Sequence, residues 1–123
     1  MEMCACNGSF LDKFLQPALL VILTRGENHG FQLISDLENS GMVSGGSLDP
    51  AGLYRTLKRM EANGLVASHW DTCVTNKPRR VYSITEAGTH CLQAWNKTLQ
   101  EYQKNLNTIL QQIDCCLVDD QEV

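Results

Sequence analysis

The stretch Asp49-Pro-Ala-Gly-Leu-Tyr-Arg-Thr-Leu-Lys-Arg-Met-Glu-Ala-Asn-Gly-Leu65 decides how this chain is read. Asp49 is a good helix N-cap, because its carboxylate accepts from amides of the first turn. Pro50 suits the first helical position, where a missing N–H costs nothing. Asn63-Gly64 is a stop signal, with Gly64 free to enter the left-handed region. Between these ends Leu53, Leu57 and Met60 fall at i, i+4 and i+7 and form one apolar stripe. Ala51, Arg55, Lys58, Arg59 and Ala62 lie on the other side. That face is small and basic, and suits close approach to a DNA major groove. An ordinary solvated helix exterior is the bland alternative.

The segment that follows favours the groove-binding reading. Leu65-Val-Ala-Ser-His-Trp-Asp71 and Val81-Tyr-Ser-Ile84 are rich in strand formers and flank a polar segment with Asn and Pro. This predicts a hairpin with a loop of several residues. Lys77, Arg79 and Arg80 concentrate at or near its tip. A helix followed by a basic hairpin reads as a winged helix. The helix would take the major groove, and the wing a phosphate backbone or the minor groove. Tyr54, at the edge of the basic face, would donate to a phosphate or pack against the wing.

At this point the chain resembles the PadR family of transcriptional regulators, over roughly residues 14 to 113. Gln16-Pro17 before an apolar run, Asn28-His-Gly-Phe31, Leu53-Tyr54, Leu57, Met60-Glu61, Gly64-Leu65 and Lys77-Pro-Arg-Arg-Val-Tyr-Ser-Ile-Thr-Glu-Ala-Gly88 carry the resemblance. The family commonly enters the recognition helix through a Ser-Pro-Gly-Thr type sequence; here Asp49-Pro-Ala-Gly52 stands in that place. The resemblance implies a dimeric winged-helix repressor whose long C-terminal helix dimerises, often responding to small molecules or stress. It also implies an aromatic or apolar effector held between the dimer helices and the DNA-binding heads. Phe14, Trp95 and Leu99 are the candidates to line that space.

Charge distribution agrees with a basic reading head on an acidic body. The net charge is −4, yet six of the ten Lys and Arg residues fall between positions 55 and 80, against only Glu61 and Asp71. From Ser83 onward two lysines face six acidic residues. Local potential, more than overall balance, decides attraction to phosphate. No apolar run approaches the ~18 residues of a membrane span. Met1-Glu-Met-Cys-Ala-Cys6 lacks the regions of a secretory signal, so a cytoplasmic location is expected.

Ser9-Phe-Leu-Asp12 matches a capping pattern. Phe10, Phe14, Ala18 and Ile22 follow at i+4 spacing, with Pro17 either kinking this helix or starting a second. Gly26 ends it. A helix from about Gly30 to Glu38 is expected to bury Phe31, Ile34 and Leu37, with His29 as a capping or core-edge residue. Asn39 to Ser47 is a Gly/Ser-rich connection. Thr85 is the expected N-cap of a long helix. Along it Leu92, Trp95, Leu99, Tyr102, Leu106, Ile109 and Ile113 make a heptad seam for dimerisation. The fold class is therefore mainly α with a small β-hairpin wing. A winged helix-turn-helix domain spans 9–84, a dimerisation helix 85–117, and flexible tails 1–8 and 118–123.

The six cysteines are many for such a chain. Cys4 and Cys6 open it, and Cys115 and Cys116 close the long helix. No cofactor is expected, and spare reduced thiols are the simpler reading. Four thiolates would also suit Zn²⁺ or an iron–sulfur cluster, and paired thiols a redox sensor. No catalytic constellation appears, so no enzyme is expected. The expected function is sequence-specific DNA-binding regulation by a dimeric repressor. A winged-helix protein-interaction module, or a thiol- or metal-sensing regulator, is the alternative.

Overall fold

The computed structural model describes residues 14–43, 49–72 and 78–121, with side chains up to 117. The expectations for Ser9 to Asp12, Phe10, Cys4, Cys6, Lys77 and the last residues of the Gly/Ser connection lie outside the described residues. The chain divides into two compact units, one ending at Leu92 and the other beginning at Gln93.

In the first unit, α1 (Leu15–Thr24) buries nearly its whole circumference: Leu15, Pro17, Ala18, Leu19, Leu20, Ile22 and Leu23. Such a helix is the centre of a core rather than a surface element. Pro17 sits in its first turn, where its missing N–H has no intrahelical partner to lose. Gly26, at φ 140, ends the turn after the helix. The helix contacts α2 (Gly30–Ser40), α3 (Pro50–Ala62) and β3 (Arg79–Ile84).

His29 caps α2, with Nδ1 accepting from the Gln32 amide at 3.3 Å. The inward face of α2 is Gly30, Leu33 and Leu37. This corrects the expectation for Phe31, which is 75% exposed, while Ile34 is half-buried. One residue is about 100° around a helix, so with Gly30 facing inward Phe31 points away. Gly30 is inward because the Tyr54 ring lies over it. A Cβ there would come within 2.8 Å of the Tyr54 hydroxyl.

α3 keeps the boundaries expected from its ends. Asp49 accepts from the Ala51 amide at 3.3 Å, Pro50 is the first residue, and Gly64 has φ +79. Leu53, Leu57 and Met60 are wholly buried. At about 1.5–3 kcal/mol for each large apolar side chain, this stripe fixes the rotation of α3 about its axis.

β2 (Val66–Asp71) and β3 form the expected hairpin, antiparallel from Val66↔Ile84 to Asp71↔Arg79. A third strand, β1 (Asn28–His29), pairs on the other side of β3, with Asn28↔Tyr82 and His29↔Val81. Thr85 caps α4 (Glu86–Gln121), accepting from the Gly88 amide at 3.0 Å. Its hydroxyl donates to the Gly64 carbonyl at 2.6 Å, which fastens the start of α4 to the end of α3. Cys91 Sγ lies 3.9 Å from Gln16 Oε1 in a weak contact to α1.

The second unit is the remainder of α4. Tyr102, Leu106, Ile109 and Ile113 are each about half exposed, as are Leu110 and Leu117. No helix among the described residues is long and apolar enough to cross a membrane.

Candidate nucleic-acid interface

Burial of Leu53, Leu57 and Met60 turns the opposite face of α3 outward. Arg55, Lys58 and Arg59 are exposed there together, with Ala51 and Ala62 beside them. No hydrogen bond or ion pair to another described residue holds any of the three basic side chains. They form an exposed cationic fringe on a helix whose other face is buried. Arg59 also stands in the last turn, where a cation complements the helix dipole.

Tyr54 is 43% exposed and borders this fringe. Its ring covers the start of α2 at Gly30. The basic face of α3 and the N-terminus of α2 are therefore adjacent.

The two wing arginines within the described residues are held differently from those of α3. Arg80 Nε donates to Ser68 Oγ at 2.9 Å, and Ser68 Oγ donates to Glu61 Oε2 at 2.6 Å. The other Glu61 oxygen pairs with Arg80 at 3.5 Å. The Arg80 guanidinium lies 5.4 Å from the ring centroid of Trp70, its cross-strand partner. This closed set ties the wing base to the last turn of α3. Arg79 instead reaches His29, with Nη1 2.9 Å from Nε2. Tyr82, on β3, is buried. That burial pushes its phenol above the ordinary value, against the opposing pull of Arg80, and keeps it neutral.

Glu61, Ser68 and Trp70 were not legible as a unit from the sequence, because only the hairpin register brings them to Arg80. Glu61→Ala removes an ion pair and a charged hydrogen bond that are both partly solvated. We expect a loss of about 1 kcal/mol. Amide hydrogen exchange in β2 and β3 should quicken; unchanged exchange there would show that the set does not hold the wing.

Of the other candidates, Phe14 belongs to the first unit, and Trp95 and Leu99 to the second. Cys115 and Cys116 are exposed on α4. Among the described residues no group of three or more His, Cys, Asp or Glu side chains could hold a metal ion.

A basic helix whose last turn is fastened to a hairpin, followed by a long helix, is the arrangement that the comparisons with known proteins match. Residues 19–94 match the profile of the Transcriptional regulator PadR-like family. The chain belongs to this family. A transcriptional regulator of Mycobacterium tuberculosis is 35% identical over 80 residues, covering 65% of this chain and 70% of that protein. Among solved structures, a PadR-like transcriptional regulator from Bacillus cereus superposes with a TM-score of 0.70 at 22% identity, over 84% of this chain and 97% of that one. Bacillus subtilis PadR in complex with operator DNA superposes with a TM-score of 0.58 at 23% identity, over 66% of this chain and 45% of that one. These likenesses establish the PadR winged-helix fold. Family and relatives are regulators of transcription rather than enzymes.

Proposed function

We propose that this PadR-like chain is a homodimeric repressor that binds duplex DNA in a sequence-specific way and responds to an effector. The observation that carries the DNA reading is the free basic face of α3. Arg55, Lys58 and Arg59 are exposed beside Tyr54 and, among the described residues, unengaged, on a helix whose other face is locked into the core. In this reading they enter the major groove, with bases read by the arginines. Lys77 and Arg79 take the flanking backbone or minor groove, and Arg80 contributes charge there while holding the wing in place. The relative solved with operator DNA supports the same use of the fold.

Dimerisation is supported by α4, whose seam from Leu92 to Ile113 leaves Tyr102, Leu106, Ile109 and Ile113 about half exposed on a single chain. Residues 9–84 would then be the DNA-binding domain and 85–117 the dimerisation helix. Phe14, Trp95 and Leu99 would meet an aromatic or apolar effector. Such a ligand acts only if it binds two arrangements of the dimer with different affinity.

Hydroxyl-radical footprinting on the region upstream of the protein's own gene tests the dimeric reading. Two protected stretches, centred about 34 Å or a multiple apart, are expected on one face of the duplex. A single protected stretch would contradict it.

A further inference from the structure

His29 stands between two hydrogen-bond donors. Its Nδ1 faces the Gln32 amide at 3.3 Å, and its Nε2 faces Arg79 Nη1 at 2.9 Å. A neutral imidazole has one donor nitrogen and one acceptor nitrogen, while a guanidinium only donates. With Nδ1 accepting from Gln32, Nε2 carries a hydrogen and presents it to Arg79, another donor. The other tautomer moves the mismatch to Gln32, and the imidazolium creates it on both sides. The contact is exposed, and an acceptor with several lone pairs placed against both Nε2 and the guanidinium satisfies the pair.

Two of the neighbouring carboxylates have other partners. Asp36 accepts from the side chains of Asn28 at 3.3 Å and Gln32 at 3.0 Å. Glu27 lies 3.9 Å from His69, on the far side of Val81 from His29. Asp71 stands opposite Arg79 in the ladder, and Arg79 Nη1 reaches His29 Nε2. His29 precedes Gly30, which the Tyr54 ring covers, so it adjoins the Tyr54 edge of α3, and it pairs with Val81 of β3.

We propose that His29 Nε2–H and the Arg79 guanidinium together hold one backbone phosphate of the bound duplex. This rests on the DNA-binding reading above and adds a contact from β1 and α2 to those of α3 and the wing. A phosphate oxygen offers the lone pairs that both donors need, and the bond to Arg79 becomes charge-assisted. Such a contact positions the protein and carries no sequence information.

The test separates the cap from the phosphate contact. Asn is a strong N-cap, so His29→Asn keeps the α2 cap and loses Nε2–H, whereas His29→Ala loses both. His29→Asn should melt like the parent chain yet bind duplex roughly tenfold more weakly, to the same extent on an upstream fragment and an unrelated control. His29→Ala should lose as much affinity and melt lower. Arg79→Ala should weaken binding and flatten the salt dependence by about one contact. Because both residues serve one phosphate, the double variant should bind little more weakly than the weaker single variant. Parent-like affinity in His29→Asn, or losses that multiply in full, would overturn the proposal and leave the DNA reading standing. Absence of duplex binding by the parent chain would overturn both.

Discussion

Replacing Arg55 and Arg59 together by glutamate is expected to abolish duplex binding while leaving the fold intact. Both side chains are exposed on the face of α3 opposite Leu53, Leu57 and Met60, and neither supports the core. A bidentate contact from arginine to a base is worth about 1–3 kcal/mol, and two are removed. Two new negative charges then face phosphate, so the affinity should fall by roughly a thousandfold or more. Stability should change little, since exposed substitutions stay near ±0.5 kcal/mol. Arg59 adds a little more, because glutamate opposes the dipole at the C-terminal end of α3. Fluorescence anisotropy with a labelled duplex reads the first effect and thermal melting the second. Unchanged affinity in a folded double variant would remove α3 from the interface.

Gly88→Ala should have the largest effect on stability. Gly88 is buried in the first turn of α4, and a Cβ there would run into the backbone carbonyl of Leu65 and come within 2.8 Å of Ile84 Cγ1. That carbonyl cannot easily withdraw. It accepts from the Thr85 amide at 3.1 Å, and the Leu65 amide donates to the Met60 carbonyl at 2.9 Å. Thr85 is in turn held by its hydroxyl on Gly64. The added methyl must separate α4 from the end of α3 or break this set, at a cost of about 2–4 kcal/mol. The melting temperature should fall by about 10 °C or more. Gly52 supplies the contrast, because a Cβ there meets nothing nearer than 3.5 Å. Gly52→Ala should leave melting the same or slightly higher. Equal melting of the Gly88 variant and the parent would show that the two helices are not clamped as described.

Much of the fold could be read from local chemistry. Asp49-Pro50 and Asn63-Gly64 mark both ends of α3 by residue type alone, and Thr85 marks the start of α4. The hairpin followed from β-forming runs around a polar segment. What escaped depends on contacts distant in sequence. β1 is two residues long, too short for any alternation to register, and exists only because β3 offers it an edge. Phe31 was placed inside because it is large and apolar. The close approach of Tyr54 to Gly30 sets the rotation of α2 and leaves Phe31 in solvent.

The candidate interface divides in the same way. Arg55, Lys58 and Arg59 share a face by helical period, so their grouping was visible from spacing. Arg79 and Arg80 are adjacent in sequence, yet strand alternation sends them to opposite faces of the sheet. One meets His29 and the other Glu61, Ser68 and Trp70. A count of basic residues near the wing tip could not make that distinction.

The most direct test of the central claim, that a basic reading head binds duplex DNA, is affinity measured against salt. The parent chain would be titrated on a fragment of its own upstream region and on an unrelated duplex. Tighter binding to the upstream fragment is expected. A log–log salt slope steeper than about −4 is also expected, since each phosphate contact contributes about −0.9 and the proposed dimer would engage through two protomers. Affinity that does not respond to salt on either duplex would contradict the claim.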